Sequence, residues 1–115
     1  DYFMEITNVR IKNVTVGLDD RDRLSARMTF ECKHDCCDRG FILTNPTDAQ
    51  RLVKLMNYTG VYDVKNLNGK VVRVVNHDCF FRGFGDPIED KFIPAFGEEL
   101  KEVTEAQFEE LLKTK

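Results

Sequence analysis

The residues best suited to chemistry in this chain are its cysteines and histidines, which fall into two short clusters. The first cluster lies in the segment ECKHDCC and the second in the segment NHDC, and the chain contains four cysteines and two histidines in all. They are Cys32, His34, Cys36, Cys37, His77 and Cys79. Two groups of sulfur and imidazole ligands from separated segments are typical of a tetrahedral zinc site. The sequence therefore predicts a zinc site.

The spacing within the clusters suggests which residues bind the ion. Cys32 and Cys37 have four residues between them, which is an accepted spacing for zinc ligands, and Cys36 is equally admissible in place of Cys37. His77 and Cys79 are two apart, so on an extended segment their side chains point the same way. We expect Cys32, Cys37, His77 and Cys79 to form a closed, structural site. His34 can replace either cysteine of the first cluster.

Other chemistry is compatible with the same residues. Four cysteines could be buried thiols, and they could form disulfides if the protein were exported. A nucleophilic pair such as Cys79 with His34 lacks a motif for an oxyanion hole, and the HExxH, GxSxG and GxxxxGK[ST] motifs do not occur. We therefore expect that the protein is not an enzyme, with a small metal- or thiol-dependent enzyme as an alternative.

The charge of the chain is unevenly distributed. Residues 1–85 carry 13 basic and 11 acidic side chains, a net charge of +2, whereas residues 86–115 carry 4 basic and 9 acidic ones, a net charge of −5. The glutamates that we expect to contact a basic partner protein are Glu98, Glu99, Glu102, Glu105, Glu109 and Glu110. This distribution disfavours free nucleic acid as the main ligand.

A nucleic-acid-binding accessory protein is nevertheless an alternative. Its surface would combine three phenylalanines as a stacking platform with the basic residues of the first predicted hairpin. The phenylalanines are Phe80, Phe81 and Phe84, and the basic residues are Arg10, Lys12, Arg21, Arg23 and Arg27. Packing of these phenylalanines in the core is the simpler interpretation.

The elements that position these residues follow from the hydrophobic pattern. Strands are predicted over residues 4–16, 24–32, 40–43 and 70–75, with an aromatic segment at 80–85 and a short apolar piece at 88–96. A change of parity between Ile6 and Val9 predicts a bulge or an irregular start in the first strand. Asn45 and Pro46 begin a helix that Gly60 ends, and Thr104 with Gln107 forms a capping box for a C-terminal helix.

These elements predict one α+β domain spanning residues 1–115, with an antiparallel sheet in the order β-β-β-α-β-β-α. One helix is expected to pack on the sheet. The chain has no apolar stretch long enough for a membrane span and no recognisable signal peptide, so we expect a protein of the cytoplasm. We also expect it to be a monomer.

Several segments resemble a family of small phage and prophage proteins. The segments are ITNVRIKNVTV at 6–16, the strand at 24–30, LVKLMNYTGV at 52–61, NLNGKVVRV at 66–74 and DKF at 90–92. The family has a similar pattern, GV…DLxGKxVRV…DKWF, but a Gly- and aromatic-rich stretch where this chain has its first cysteine cluster. The resemblance implies an accessory phage protein that acts in the bacterial host. By analogy with anti-CRISPR proteins, we expect an inhibitor of a host defence protein, such as a type II CRISPR nuclease.

Overall fold

The strands of the protein form one antiparallel sheet, and an α-helix packs on each of its faces. In this computed structural model, the structure describes residues 4–31, 36–78, 80–97 and 100–114. The strands are β1 (Met4–Leu18), β2 (Leu24–Glu31), β3 (Cys36–Ile42), β4 (Val71–His77), β5 (Phe80–Gly85) and β6 (Phe92–Pro94). The helices are α1 (Pro46–Thr59), a 3-10 helix at Val64–Leu67, and α2 (Glu105–Lys113). None of the described helices is both long and apolar enough to cross a membrane.

The predicted α+β class is confirmed, but the predicted order of elements is wrong in part. The described residues form six strands, in the spatial order β3-β2-β1-β4-β5-β6, and every neighbouring pair is antiparallel. The additional strand is β6, which pairs with β5 from Gly83 to Gly85. Its three residues, with a proline at the end, are too few to show a strand period in the sequence.

Strand β1 pairs with two different neighbours along its length. Its first half, Met4–Arg10, pairs with β4, and its second half, Arg10–Leu18, pairs with β2. The register shift lies between Lys12 and Thr15, where Asn13 has a φ of 56°. The bulge predicted between residues 6 and 9 is therefore wrong, since the change of parity there has a different cause.

That cause is a pair of hydrophobic cores on opposite faces of the sheet. Val9 belongs to the main core, under α1, whereas Ile6 packs against a second core, under α2. Neighbouring residues of β4 divide in the same way, with Val74 in the main core and Val75 in the second. We call the side of the sheet that faces α1 the inner face and the opposite side the outer face.

Helix α1 packs against the inner face, and its ends are those that the sequence predicts. The Asn45 side chain accepts a hydrogen bond from the Asp48 backbone, and Gly60 ends the helix with a φ of 72°. Leu52 and Leu55 are buried in the main core.

Arg51 joins α1 to the chain that leaves β6. Its side chain is only 7% exposed, and its guanidinium donates hydrogen bonds to the backbone oxygens of Pro94 (3.1 Å), Phe96 (3.2 Å) and Gly97 (2.7 Å). It also lies 3.4 Å from the Asp48 carboxylate. Arg51 thereby fixes the start of the segment that leads to α2.

Helix α2 packs against the outer face over β4, β5 and β6. Phe108 and Leu112 are buried against Val75 and Phe92, and the predicted capping box at Thr104 is present. The helix can approach closely because β5 has a glycine beneath it. A Cβ atom on Gly83 would lie 2.7 Å from the Phe108 ring.

Candidate functional site

Each of the two predicted ligand clusters has a phenylalanine two residues away from it, and the rings of these two phenylalanines are in contact. Phe30, two residues before Cys32, stacks on Phe81, two residues after Cys79, with ring centroids 5.5 Å apart and an interplanar angle of 10°. The guanidinium of Arg39 lies over the Phe81 ring, 4.4 Å from its centroid. These contacts connect side chains of β2, β3 and β5, the strands that flank the two clusters, although β1 and β4 lie between β2 and β5 in the sheet.

Most of the predicted ligands lie outside the described residues. Cys32, His34 and Cys79 are among the residues that the structure does not describe, and for Cys36 it gives only the backbone, which lies opposite Glu31. Across residues 4–31, 36–78, 80–97 and 100–114, no three or more His, Cys, Asp or Glu side chains form a group that could hold a metal ion. The ligand set stays a prediction.

The two predicted ligands with described side chains lie on opposite faces of the sheet. Cys37 is opposite Phe30, whose side chain is in the main core, so Cys37 is on the inner face. His77 is opposite Met4, which packs against the second core, so His77 is on the outer face. A single ion can therefore reach both side chains only from beyond the start of β3 and the end of β4. The His77 imidazole also lies 3.6 Å from the Asp78 carboxylate, which is beyond hydrogen-bond distance.

The predicted acidic surface is partly described, and the structure adds members to it. Glu98 and Glu99 lie outside the described residues, whereas Glu102 and the three glutamates of α2 lie within them. Asp90, from the loop before β6, accepts a hydrogen bond of 2.7 Å from the Glu105 backbone N–H. This bond brings the acidic loop between β5 and β6 against the start of α2.

A tyrosine on α1 contacts the same surface. The Tyr58 hydroxyl donates a hydrogen bond of 2.7 Å to the Glu102 carboxylate. Burial, this hydrogen bond and the negative charges of Glu102 and Asp86 all raise the pKa of Tyr58 well above its usual range. We define the acidic surface by Asp86, Asp90, Glu102 and Glu105.

Sequence reasoning missed two of these four residues. The net charge of residues 86–115 includes Asp86 and Asp90, but their position beside Glu102 and Glu105 depends on the fold of the β5–β6 loop. The sequence contains one signal for this arrangement, which is the occurrence of acidic pairs both in the loop before β6 (Glu89 and Asp90) and in the segment before α2 (Glu98 and Glu99).

The residues expected to form a nucleic-acid-binding surface do not share one exposed surface, because several of them are buried or paired with other groups of the protein. Phe84 is fully buried in the main core, and Phe81 stacks on Phe30, whereas Phe80 is 64% exposed. Three of the basic residues are held within the molecule: Arg10 by the Gly69 oxygen, Lys12 by Glu31, and Arg23 by Asp19. The Cys79–His34 pair of the enzyme alternative lies outside the described residues.

A scan of the chain against protein-family models, a search of curated proteins and a search of solved structures each found no match.

Proposed function

We propose that this protein is a non-enzymatic binding module that inhibits a host protein by covering a basic surface on it. The observation that carries the proposal is the clustering of carboxylates from three parts of the chain. The β5–β6 loop, the segment before α2 and the first turn of α2 contribute side chains to the acidic surface, joined by the Asp90–Glu105 and Tyr58–Glu102 hydrogen bonds.

The mechanism is occlusion. A surface rich in carboxylates attracts a basic region of another protein, accelerates their association and excludes partners of the same charge. Proteins that bind nucleic acid have such basic regions, because their lysines and arginines contact phosphates. The resemblance to small phage proteins makes a host defence nuclease, and first a type II CRISPR nuclease, the target to test.

The proposed module includes a structural zinc ion between its two cysteine-bearing loops. The favoured ligands are Cys32, Cys37, His77 and Cys79, with Cys36 or His34 as replacements. The Phe30–Phe81 stack supports this proposal because it joins side chains of the two strands that flank the loops. A bound zinc ion would cross-link the two loops and stabilise the folded state.

Binding to purified candidate nucleases at several salt concentrations tests the proposal. We expect the double variant Glu102→Lys/Glu105→Lys to lower the affinity at least about tenfold at low salt, and to weaken the dependence of affinity on salt. Asp20→Lys reverses one exposed acidic residue in the β1–β2 turn and should leave the affinity unchanged, so it is the charge-matched control for each single reversal, Glu102→Lys or Glu105→Lys. An affinity that survives the double reversal would exclude the acidic surface as the contact.

A gel-shift assay separates this proposal from the nucleic-acid alternative. The proposed inhibitor should bind neither free DNA nor free RNA at physiological salt. A stable complex with either, lost on substitution of the exposed Phe80 or of Arg21, would favour the alternative.

A further inference from the structure

A depression of about 750 Å³ lies on the outer face of β1, β2 and β3, away from both helices. Helix α1 packs on the inner face, and α2 covers the outer face only over the other three strands. The depression has the volume of a small-molecule site, which is typically about 300–1,000 Å³. Its lining is the polar side of these strands and includes Thr15, Arg27 and Thr29.

Glycine at position 40 deepens the depression. The register places Gly40 directly opposite Arg27, and Arg27 opposite Thr15, so the three residues form one row across the strands. A Cβ atom on Gly40 would lie 3.2 Å from the Ser25 hydroxyl oxygen and 3.5 Å from Cγ of Arg27. Any side chain at position 40 would therefore occupy the space above both residues.

The polar residues at the rim are already hydrogen-bonded to one another. At one end, the Thr29 hydroxyl donates to Asp38 (2.7 Å) and accepts from the Asn13 amide (3.5 Å). At the other end, the Arg23 guanidinium pairs with the Asp19 carboxylate at 3.0 Å. Both carboxylates that line the depression thus have partners.

Arg27 differs from these rim residues. Its side chain is exposed at the centre of the depression, and within residues 4–31, 36–78, 80–97 and 100–114 no hydrogen bond or ion pair reaches its guanidinium. Arginine's fork of N–H donors matches the oxygens of a carboxylate or a phosphate in pairs. The Thr15 and Ser25 hydroxyls, which also line the depression, can supply further donors to the same group.

We propose that this depression is a binding site for a small ligand that carries an oxyanion, either a carboxylate or a phosphate, held by Arg27. Thr15 and Ser25 donate to the remaining oxygens of the anion. Asp38, at the rim, accepts from a hydroxyl or amino group on the same ligand. The site is separate from the acidic surface and does not depend on the proposed inhibition.

Titration of the ¹⁵N-labelled full chain with inorganic phosphate, and separately with succinate, tests the site and distinguishes the two anions by NMR. We expect saturable shifts of the Arg27 Nε–H and Gly40 amide signals with at least one of the probes. Arg27→Gln should weaken that binding at least about tenfold, the loss expected for a paired charged donor. Gly40→Ala should weaken it as well, because the added methyl group narrows the depression.

Arg21→Gln is the matched control. Arg21 is exposed in the neighbouring turn and does not line the depression, so this variant removes the same charge without altering the site. It should change the affinity by less than about twofold, as expected for screened surface charge. The proposal would be overturned if neither probe shifted the Arg27 and Gly40 signals, or if Arg21→Gln and Arg27→Gln weakened binding equally.

Discussion

Replacement of Arg51 by methionine should destabilise the protein strongly, because this buried arginine joins α1 to the chain that leaves β6. Methionine keeps most of the buried stem but removes the three hydrogen bonds to the Pro94, Phe96 and Gly97 oxygens. Hydrogen bonds from a charged group contribute about 1.5–3 kcal/mol each, and they are not additive. Gly97 is exposed, so water can replace its bond, whereas Pro94 is fully buried and its oxygen would lose its partner.

We therefore expect the Arg51→Met variant to lose about 3 kcal/mol of unfolding free energy, most of it from the buried carbonyl. For a domain of this size, that corresponds to a melting temperature lower by about 12 °C. Urea denaturation followed by circular dichroism measures the loss, and an unchanged m-value would show that the folded state stays equally compact. Arg51→Lys should lose roughly half as much, since a lysine ammonium can bond only part of the set.

The control is Arg21→Met, which removes the same charge from an exposed turn and should change stability by less than about 0.5 kcal/mol. A loss below about 1 kcal/mol for Arg51→Met, or equal losses in the two variants, would refute the assignment of Arg51 as the link between α1 and the chain after β6.

Other predictions concern the second core, the helix cap, the acidic surface and the zinc ion. Gly83→Ala should lower the unfolding free energy by about 3 kcal/mol in urea denaturation, because the added Cβ would lie 2.5 Å from the Ile93 backbone oxygen and 2.7 Å from the Phe108 ring, and neither can easily move away. Thr104→Ala should lose about 1 kcal/mol in the same assay, since the capping box is broken. Because the pKa of Tyr58 is raised in the folded state, the stabilisation from its protonated hydroxyl is fully present below about pH 10 and is lost as the pH rises further. Denaturation series at pH 9–11 should therefore show a fall in unfolding free energy with pH that is smaller in Tyr58→Phe than in the unmodified protein. Elemental analysis should find about one zinc per chain, and Cys32→Ser should remove it and lower the melting temperature; metal-free protein of unchanged stability would contradict the zinc proposal.

The two α-helices could be predicted from the sequence because their signals are local, whereas the 3-10 helix at Val64–Leu67 was expected to be a connector. Asn45 and Gly60 cap α1, and Thr104 caps α2 with help from Gln107. Each of these residues acts on backbone groups within a few positions of itself, so neither the sheet nor the partner helix is needed to recognise it.

The sheet could be predicted only in part, because its order depends on contacts between distant segments. Strand β3 is longer than expected, since it begins at Cys36 rather than at Gly40, and its pairing with β2 continues to Glu31. Strand β6 is held by its pairing with β5 on one side and by a single bridge between Phe92 and Val103 on the other. Neither feature has a period in the sequence that could indicate it.

The predicted sites were subject to the same limit. Spacing along the chain grouped Cys37 with His77, but it contained no information on the face of the sheet that each would occupy. It likewise identified Glu102 and Glu105 as part of an acidic segment without placing Asp86 and Asp90 beside them. Residue types and spacing thus indicated which kind of site to expect, but the pairing of the strands determines which of these residues can lie in the same site.

Strand β1 shows how this pairing leaves one surface available for binding. Where it pairs with β4, both of its sides are covered, so the apolar side chains of Ile6 and Val9 pack into cores on opposite faces of the sheet. Beyond the bulge at Asn13, it pairs with β2, and only the inner side is covered, so Thr15 and its neighbours on the outer side are polar. A second helix on the outer face would have required apolar residues at Thr15, Arg27 and Thr29, because a strand covered on both faces is apolar along its whole length rather than at alternate positions. The positions are instead polar and surround a depression, which is why the outer face of β1–β3 is the part of the sheet on which a small ligand can bind without disturbing either core.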